Sequence, residues 1–352
     1  MQIVRMAESD TIKGRGRKGQ PKSDSCAVKM AGAACGLAVD IGTTTVVMGL
    51  YDLDSGERLA GLQEKNSQTL LGADVMMRLM HCQRGSQHTL EQRIREQIQN
   101  MAEQLCDGFC ALEQIKTIAV VGNTTMCHIF LGQDTSGLAG SPFCPAYRGI
   151  YRCKGSDIAL QEMKDTDVIV PAGIDAHVGA DAVSMICALQ LPETKETILA
   201  VDIGTNAEIA LSCKREISVC SAPAGPAFEG AQISQGMRGE PGAIAGMHIA
   251  RQSGNILLEV IPDDRRNVYP VRGICGSGLI DSIASLRQSG ILQPDGYLLC
   301  NPEEADRLGI PGYLRERITE KGFLVYLDPG GQQVCLTQKD IRQFQLAKAA
   351  VQ

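Results

Sequence analysis

The sequence predicts a duplicated α/β fold whose two halves face each other across a cleft. The heptapeptide Leu-Ala-Val-Asp-Ile-Gly-Thr stands at 37–43 and returns at 199–205, 162 positions later. Each copy runs into a β-rich segment, TTVVMGLYDL after the first and NAEIALSC after the second. Apolar stretches of helical period lie between these strands, the alternation that builds a mixed sheet with packed helices. A spacing this long does not suit a solenoid, and two unrelated tandem domains do not account for seven identical residues in matching strand-turn-strand contexts. At about 150 residues per domain, 352 residues are enough for two halves with buried cores.

Residues 1–35 are rich in Lys, Gly and Ser without apolar periodicity and read as a flexible basic lead. Order begins at Leu37, where LAVDI (37–41) is a strand, GTT a tight turn, and TVVMGLYDL (45–53) a second strand. Asp54, Ser55 and Gly56 turn the chain into a third. Residues 89–113 give the plainest helix, with Leu90, Ile94, Ile98, Met101, Leu105, Phe109 and Leu112 on one face and Thr89 with Gln92 as a capping box. A strand at 115–121 then leads through GNTTMCHIFLG into another apolar helix. The first subdomain spans 36–190 and the second 196–352.

Composition excludes several classes. Hydrophobic residues are 44% and charged residues 21%, an ordinary globular balance. No apolar run reaches the ~18 residues of a membrane span, and the N-terminus has no secretory apolar core, so a cytoplasmic protein is expected. The lead holds seven Lys or Arg against three acidic residues, which leaves 27 basic and 37 acidic residues in the body, an unfavourable balance for nucleic acid. Fourteen cysteines include no CxxC pair, so neither a ferredoxin-type cluster nor a zinc ribbon is expected. Cys106 and Cys110 in one helical stretch, and Cys127 and Cys187 in others, read as buried, reduced small hydrophobes. The five histidines lack HxH or HxxxH spacing, and no Walker lysine loop, GxSxG elbow or GxGxxG fingerprint is present.

The chemistry therefore rests on the repeated turn. In each copy an Asp ends a strand and is followed by Ile, Gly and Thr. Turn amides with hydroxyls cradle phosphate oxygens, and glycine lets the backbone approach a ligand. A carboxylate beside phosphate needs a cation between them, which assigns Asp40 and Asp202 to Mg2+ held through water. Gly42, Thr43, Thr44, Thr45, Gly204, Thr205 and Asn206 are the candidate phosphate contacts. Gly122, Asn123 and Thr124 open a helix where free amides favour an anion, or simply form its capping turn. APAGPAFEG (222–230) and GICGSG (273–278) are Gly-rich turns before helical patterns, with Gly225 and Gly230 read as packing positions. Asp74 and Asp181 each end a Gly-Ala-Asp tripeptide and read first as helix caps. Glu208 and Asp181 are the candidates for orienting water or acting as a base.

These residues resemble the superfamily of acetate and sugar kinases, heat-shock cognate chaperones and actin, abbreviated ASKHA, whose fold is actin-like and ribonuclease H-like. DIGTTT (40–45) would be its first phosphate loop, DIGTNAE (202–208) its second, and VVGNTTM (120–126) the first connection between subdomains. VVGNTTM, SAPAGPAFEGAQISQGMRGEPGAI (221–244), RGICGSGLIDSIASL (272–286) and LTQKDIRQFQLAKAA (336–350) are similar to the ATP-binding domain of the reductive activators of corrinoid proteins. The resemblance spans 36–352. It implies ATP and Mg2+ as ligands and reduction of a corrinoid protein from Co(II) to Co(I). The client would be a corrinoid iron–sulfur protein or a methyltransferase corrinoid subunit, and the activator a homodimer.

Members of the family carry an N-terminal plant-type [2Fe-2S] domain, whose cysteine motif is not found in these 352 residues, so a separate ferredoxin or another subunit is the expected electron source. The family also continues past the helix of DIRQFQLAKAAVQ into an adenosine loop, so an incomplete C-terminus is expected. Two readings from other classes stay open on the residues: an ASKHA-type small-molecule kinase or ATPase, and a non-catalytic dimerisation or docking module. The activators of 2-hydroxyacyl-CoA dehydratases match the motifs less well.

Overall fold

The computed structural model describes residues 2–3, 34–230, 232–250, 255–262 and 270–352. The basic lead expected over 1–35 lies outside the described residues but for Gln2, Ile3, Ala34 and Cys35. The described chain forms two compact units, one built on 34–202 with 208–221 and the other on 203–207 with 222–352.

In the first unit a six-stranded sheet runs in the spatial order Arg58–Lys65, Thr45–Asp52, Cys35–Ile41, Ile115–Gly122, Asp167–Val170, Tyr151–Lys154. Its first three strands form an antiparallel meander, while Cys35–Ile41, Ile115–Gly122 and Asp167–Val170 are mutually parallel neighbours. Period-two patterning builds these strands: Leu37, Val39 and Ile41 are buried while Ala38 and Asp40 face the other side. Val46, Met48 and Leu50 repeat the pattern at 0% exposure. Helix Gln87–Cys106 covers this face with Leu90, Ile94, Ile98 and Met101, all fully buried. Each such side chain contributes roughly 1.5–3 kcal/mol of apolar burial.

A second sheet of this unit orders Gln2–Ile3, Ile198–Ile203, Ala207–Cys213 and Glu216–Ala222. Helix Ala180–Ala188 packs on it through Ile186, with Leu191, Ala200 and Ala210 completing the cluster. The repeated heptapeptide thus opens a strand hairpin in both places, as its duplication implies.

The second unit holds two three-stranded sheets. One orders Ile256–Val260, Ala243–Ile249 and Gly273–Ile274, with helix Gly276–Gln288 packed against the middle strand. The other is the antiparallel meander Ile318–Thr319, Gly322–Leu327, Gln333–Leu336. Helix Gln338–Val351 follows, started by a capping box in which Thr337 and Asp340 satisfy each other's amides. Asp340 is fully buried and also accepts from the Ser234 amide at 2.7 Å, which ties the helix to the core.

Several expectations need correction. The helix expected over 89–113 runs Gln87–Cys106, because Asp107 leaves helical geometry at φ −56, ψ 121. Phe109 and Leu112 therefore fall beyond it, and Cys110 does not share a helix with Cys106. Thr89 lies inside the helix, which grows from a π-turn at Cys82–Ser86, so the Thr89–Gln92 cap is not formed. Asp74 does cap its helix, accepting from the Met77 amide at 2.8 Å. Asp181 does not: Gly179 is the cap of Ala180–Ala188 and Asp181 sits in its first turn. Cys187 is exposed on that same helix rather than buried, whereas Cys35, Cys82, Cys106, Cys127 and Cys275 are buried free thiols. PAFE (226–229) is one 3-10 turn. Among the described residues no helix is long and apolar enough to cross a membrane.

Candidate functional site

The first candidate loop owes its place to strand register. Cys35–Ile41 and Ile115–Gly122 are parallel neighbours with Asp40 opposite Val121 and Ile41 opposite Gly122. Both strands therefore end at one edge of the sheet, and the turns that follow, Gly42–Thr44 and Asn123, lie side by side. The carboxyl ends of parallel strands are where α/β sheets place their ligands. Asn123 joins the two turns: its Nδ2 donates to Thr43 Oγ1 at 3.1 Å, while its Oδ1 accepts from the Met126 amide at 3.0 Å as the helix cap. One side chain thus both caps the helix Thr124–Leu131 and links the two turns.

Thr43 is buried, Gly42, Thr44 and Thr45 are half-buried, and Asp40 is exposed on the face away from the core. Thr45 already belongs to the next strand, opposite Lys65. Thr124 turns its hydroxyl to the Asp175 carbonyl at 2.8 Å and begins the helix Thr124–Leu131. Close backbone approach is built in. A Cβ on Gly122 would stand 2.7 Å from the Ile41 carbonyl oxygen, and one on Gly179 would stand 2.6 Å from the Thr124 amide nitrogen.

A group of carboxyls gathers in the same unit. Burial pushes Asp181 up to about 6, with the neighbouring charge of Asp202 adding to the effect and the Ala182 amide opposing it. Burial pushes Glu208 up to about 8, helped by Asp181 and Asp202 and opposed by a hydrogen bond from Ser221 Oγ at 3.1 Å. Loss of water also raises Asp202, even though that residue keeps an exposed surface. Burial, then Asp181 and Asp40, raise the Cys127 thiol, which stays protonated and donates to the Gly122 carbonyl at 3.4 Å. Like charges crowded together with little water store an affinity for a cation. Among the described residues no three His, Cys, Asp or Glu side chains are arranged to hold a metal by themselves.

The second turn is described within the other unit. Gly204 donates its amide to the Asn206 carbonyl at 2.9 Å. Thr205 gives both its amide, at 2.7 Å, and its hydroxyl, at 2.5 Å, to Glu229 Oε1. The other carboxyl oxygen of Glu229 is buried without a hydrogen-bond partner. Gly225, at φ 80, donates its amide to the Thr205 carbonyl at 2.8 Å, while Gly230 packs tightly on Met237. The Gly-rich 222–230 segment thus braces the second turn.

Sequence reasoning missed four residues here. Asn66 and Arg78 hold the first turn from behind, Glu229 holds the second, and Ser221 binds Glu208. Glu229 lies inside a segment already singled out. Ser221 opens the 221–244 segment also singled out, whereas Asn66 and Arg78 carry no local signal, since each acts on a residue distant in the chain.

Residues 35–194 match the family described as RACo middle region, and residues 196–352 match the one described as C-terminal domain of RACo, the ASKHA domain. The corrinoid activation enzyme RamQ of Eubacterium limosum is 33% identical over 329 residues, covering 90% of this chain and 53% of the relative. A [Co(II) methylated amine-specific corrinoid protein] reductase of Methanosarcina barkeri is 29% identical over 296 residues, covering 76% of this chain and 54% of the relative. A solved structure of a reductive activator for corrinoid, iron–sulfur protein superposes with a TM-score of 0.78 at 32% identity, covering 91% of this chain and 50% of that one. The chain spans about half the length of the relatives it matches. Matched along both units, the chain belongs to the RACo family and carries its middle region followed by its C-terminal ASKHA domain.

Proposed function

We propose that this protein binds ATP with Mg2+ and serves as the reductive activator of a corrinoid protein, supporting return of its cobalt from Co(II) to Co(I). The observation that carries the nucleotide part is the register of Ile41 beside Gly122, which brings two polar turns to one sheet edge with their backbones in close approach. The names of the relatives supply the client: one is named a corrinoid activation enzyme and another a reductase of a Co(II) corrinoid protein.

In this reading Gly42, Thr43, Thr44, Thr45, Gly122, Asn123 and Thr124 contact phosphates from the first loop, and Gly204, Thr205 and Asn206 from the second. Asp40 and Asp202 hold Mg2+ through water. Glu208, whose carboxyl is raised to about 8 and keeps its proton at neutral pH, and Asp181, raised to about 6 and ionised at pH 7, orient water or pass a proton as the cation arrives. ATP, when bound, supplies the free energy for an unfavourable one-electron transfer to Co(II). That electron comes from ferredoxin or another low-potential donor, and the protein works as a cytoplasmic homodimer.

The test is calorimetric titration of ATP with Mg2+ into the wild-type protein and Asp202→Ala, followed by the absorbance of a Co(II) corrinoid protein with reduced ferredoxin. Wild type should bind and hasten loss of the Co(II) spectrum, and Asp202→Ala should lose Mg2+-dependent binding while staying folded. No binding by wild type, or unchanged affinity in Asp202→Ala, would remove the nucleotide reading or the metal assignment respectively. Binding without any effect on the corrinoid would remove the activator reading.

A further inference from the structure

The first turn is held from behind by a segment that sequence motifs do not mark. Asn66 Nδ2 donates to the Gly42 carbonyl at 2.8 Å, and the Asn66 amide donates to the Thr44 carbonyl at 2.8 Å. Between them the Thr43 carbonyl accepts from Arg78 Nη2. Three successive carbonyls of the turn are therefore drawn toward 66–78. In a trans peptide the carbonyl and the following N–H point in opposite directions. Fixing the Thr43 carbonyl on Arg78 thus aims the Thr44 N–H away from Arg78, and fixing the Gly42 carbonyl on Asn66 does the same for the Thr43 N–H.

Arg78 itself is unusual. Its side chain is fully buried. Its Nε donates to the Gly72 carbonyl at 3.1 Å, and its Nη1 donates to Gln68 Oε1 at 3.2 Å and to Met126 Sδ at 2.8 Å. All of these acceptors are neutral. No ion pair among the described residues includes Arg78; the carboxylate that acts on it, Asp74, caps its own helix at Met77 and makes no ion pair with it. Burial lowers Arg78 to about 10, with the Asp74 charge opposing, so it remains a cation at neutral pH. A buried charge normally has a counter-ion.

We propose that Arg78 is a positioning residue of the first anion site, and that the bound polyphosphate is its counter-ion, felt through the Thr43–Thr44 peptide. This rests on the reading of Gly42–Thr45 as a phosphate loop. Hydrogen bonds in series polarise one another, so a guanidinium on the carbonyl strengthens the N–H on the far side as a donor to an anion. The ligand class is a polyanion of at least two phosphates, and the selectivity predicted is for charge rather than for base.

Binding of ATP, ADP and inorganic tripolyphosphate, each with Mg2+, is measured calorimetrically for wild type, Arg78→Lys and Arg78→Met, with a thermal melt of each. Arg78→Met should bind ATP and tripolyphosphate about tenfold more weakly, the order of one buried unit charge, with a smaller loss for ADP, and Arg78→Lys, which keeps the charge but not the planar fork, should lose less than Arg78→Met. Equal losses for ATP and ADP, or no loss, overturn the inference, since a merely structural role does not grade with ligand charge. Should Arg78→Met unfold, Arg78→Lys decides, and a tenfold loss of tripolyphosphate in that folded, charged variant overturns it. Wild type that binds tripolyphosphate but not ATP removes the ATP reading, and the inference on Arg78 then stands on an about tenfold loss of tripolyphosphate in Arg78→Met and is overturned by no loss. Wild type that binds neither removes both.

Discussion

Replacing Glu208 by Gln should stabilise the unliganded protein and flatten its pH dependence. Glu208 is 7% exposed and its carboxyl is pushed up to about 8 from an ordinary 4.5, by burial first and then by Asp181. At pH 7 the folded protein therefore holds a proton on Glu208 that the unfolded chain has released. Taking up that proton over the gap from 4.5 to pH 7 costs about 3 kcal/mol at ~1.36 kcal/mol per pH unit. A folded-state value above the unfolded one means that the cost is absent below pH 4.5, grows as pH rises, and levels off above about 8. Glutamine is neutral in both states and keeps an oxygen to accept from Ser221, so the penalty vanishes, less about 1 kcal/mol for its extra unsatisfied donor. The net expectation is a gain of roughly 2 kcal/mol at pH 7. Urea unfolding followed by circular dichroism at pH 5, 7 and 8.5 reads this directly. Wild type should lose about 4 kcal/mol across that range and Glu208→Gln little of it. Parallel profiles for the two proteins would refute the reasoning, because the raised carboxyl would then not be a property of the folded state.

Three further outcomes follow from the same geometry. Gly179→Ala places a Cβ 2.6 Å from both the Thr124 amide and the Gly122 carbonyl, so helix Ala180–Ala188 must shift. The expected cost is about 1–3 kcal/mol of stability together with weaker MgATP binding, measured by unfolding and titration. His128 Nε2 accepts from the Ala146 amide at 3.1 Å, which makes Nδ1 the protonated nitrogen that donates to the Thr124 carbonyl at 2.7 Å. This neutral imidazole has its pKa lowered by burial, so its share of stability is full above the ordinary 6.5 and is lost as pH falls below it. His128→Leu should cost about 2 kcal/mol at pH 7.5 and remove that acid-side slope. Thr337→Ala, which deletes the capping box of Gln338–Val351, should cost about 1 kcal/mol and speed amide exchange in the first turn of that helix.

Much of the chain was legible without coordinates, and the reasons are local. Burial of one sheet face has period two, so Leu37, Val39 and Ile41 declare a strand and leave Asp40 on the opposite face. A side chain that caps its own helix needs only three residues of context, so Asn123 and Asp74 could be read as caps. The repeated heptapeptide implied a repeated strand hairpin, and both copies have one. Asp181 went astray for the same reason: Gly-Ala-Asp looks alike in both places, but at 179–181 the close packing of Gly179 on Gly122 and Asn123 makes the glycine the cap. The overlong helix erred at its end, where apolar spacing continues through Phe109 and Leu112 although the backbone has already turned at Asp107.

What the sequence by itself determined is the class of fold and the chemistry of its turns: strand ends bearing Asp, followed by Gly and Thr, in two copies. Only the tertiary structure decided what stands behind and beside those turns. Asn66 reaches Gly42 across 24 residues, Arg78 reaches Thr43 across 35, and Asn123 reaches Thr43 across 80. No spacing rule covers such pairs, because they depend on which strands become neighbours and in what register. The same holds for the raised carboxyls of Asp181, Asp202 and Glu208, which their positions in the sequence do not foretell. All three lose water on folding, and Asp202 adds its repulsion to Asp181, and Asp181 and Asp202 add theirs to Glu208; both causes exist only once the chain has folded.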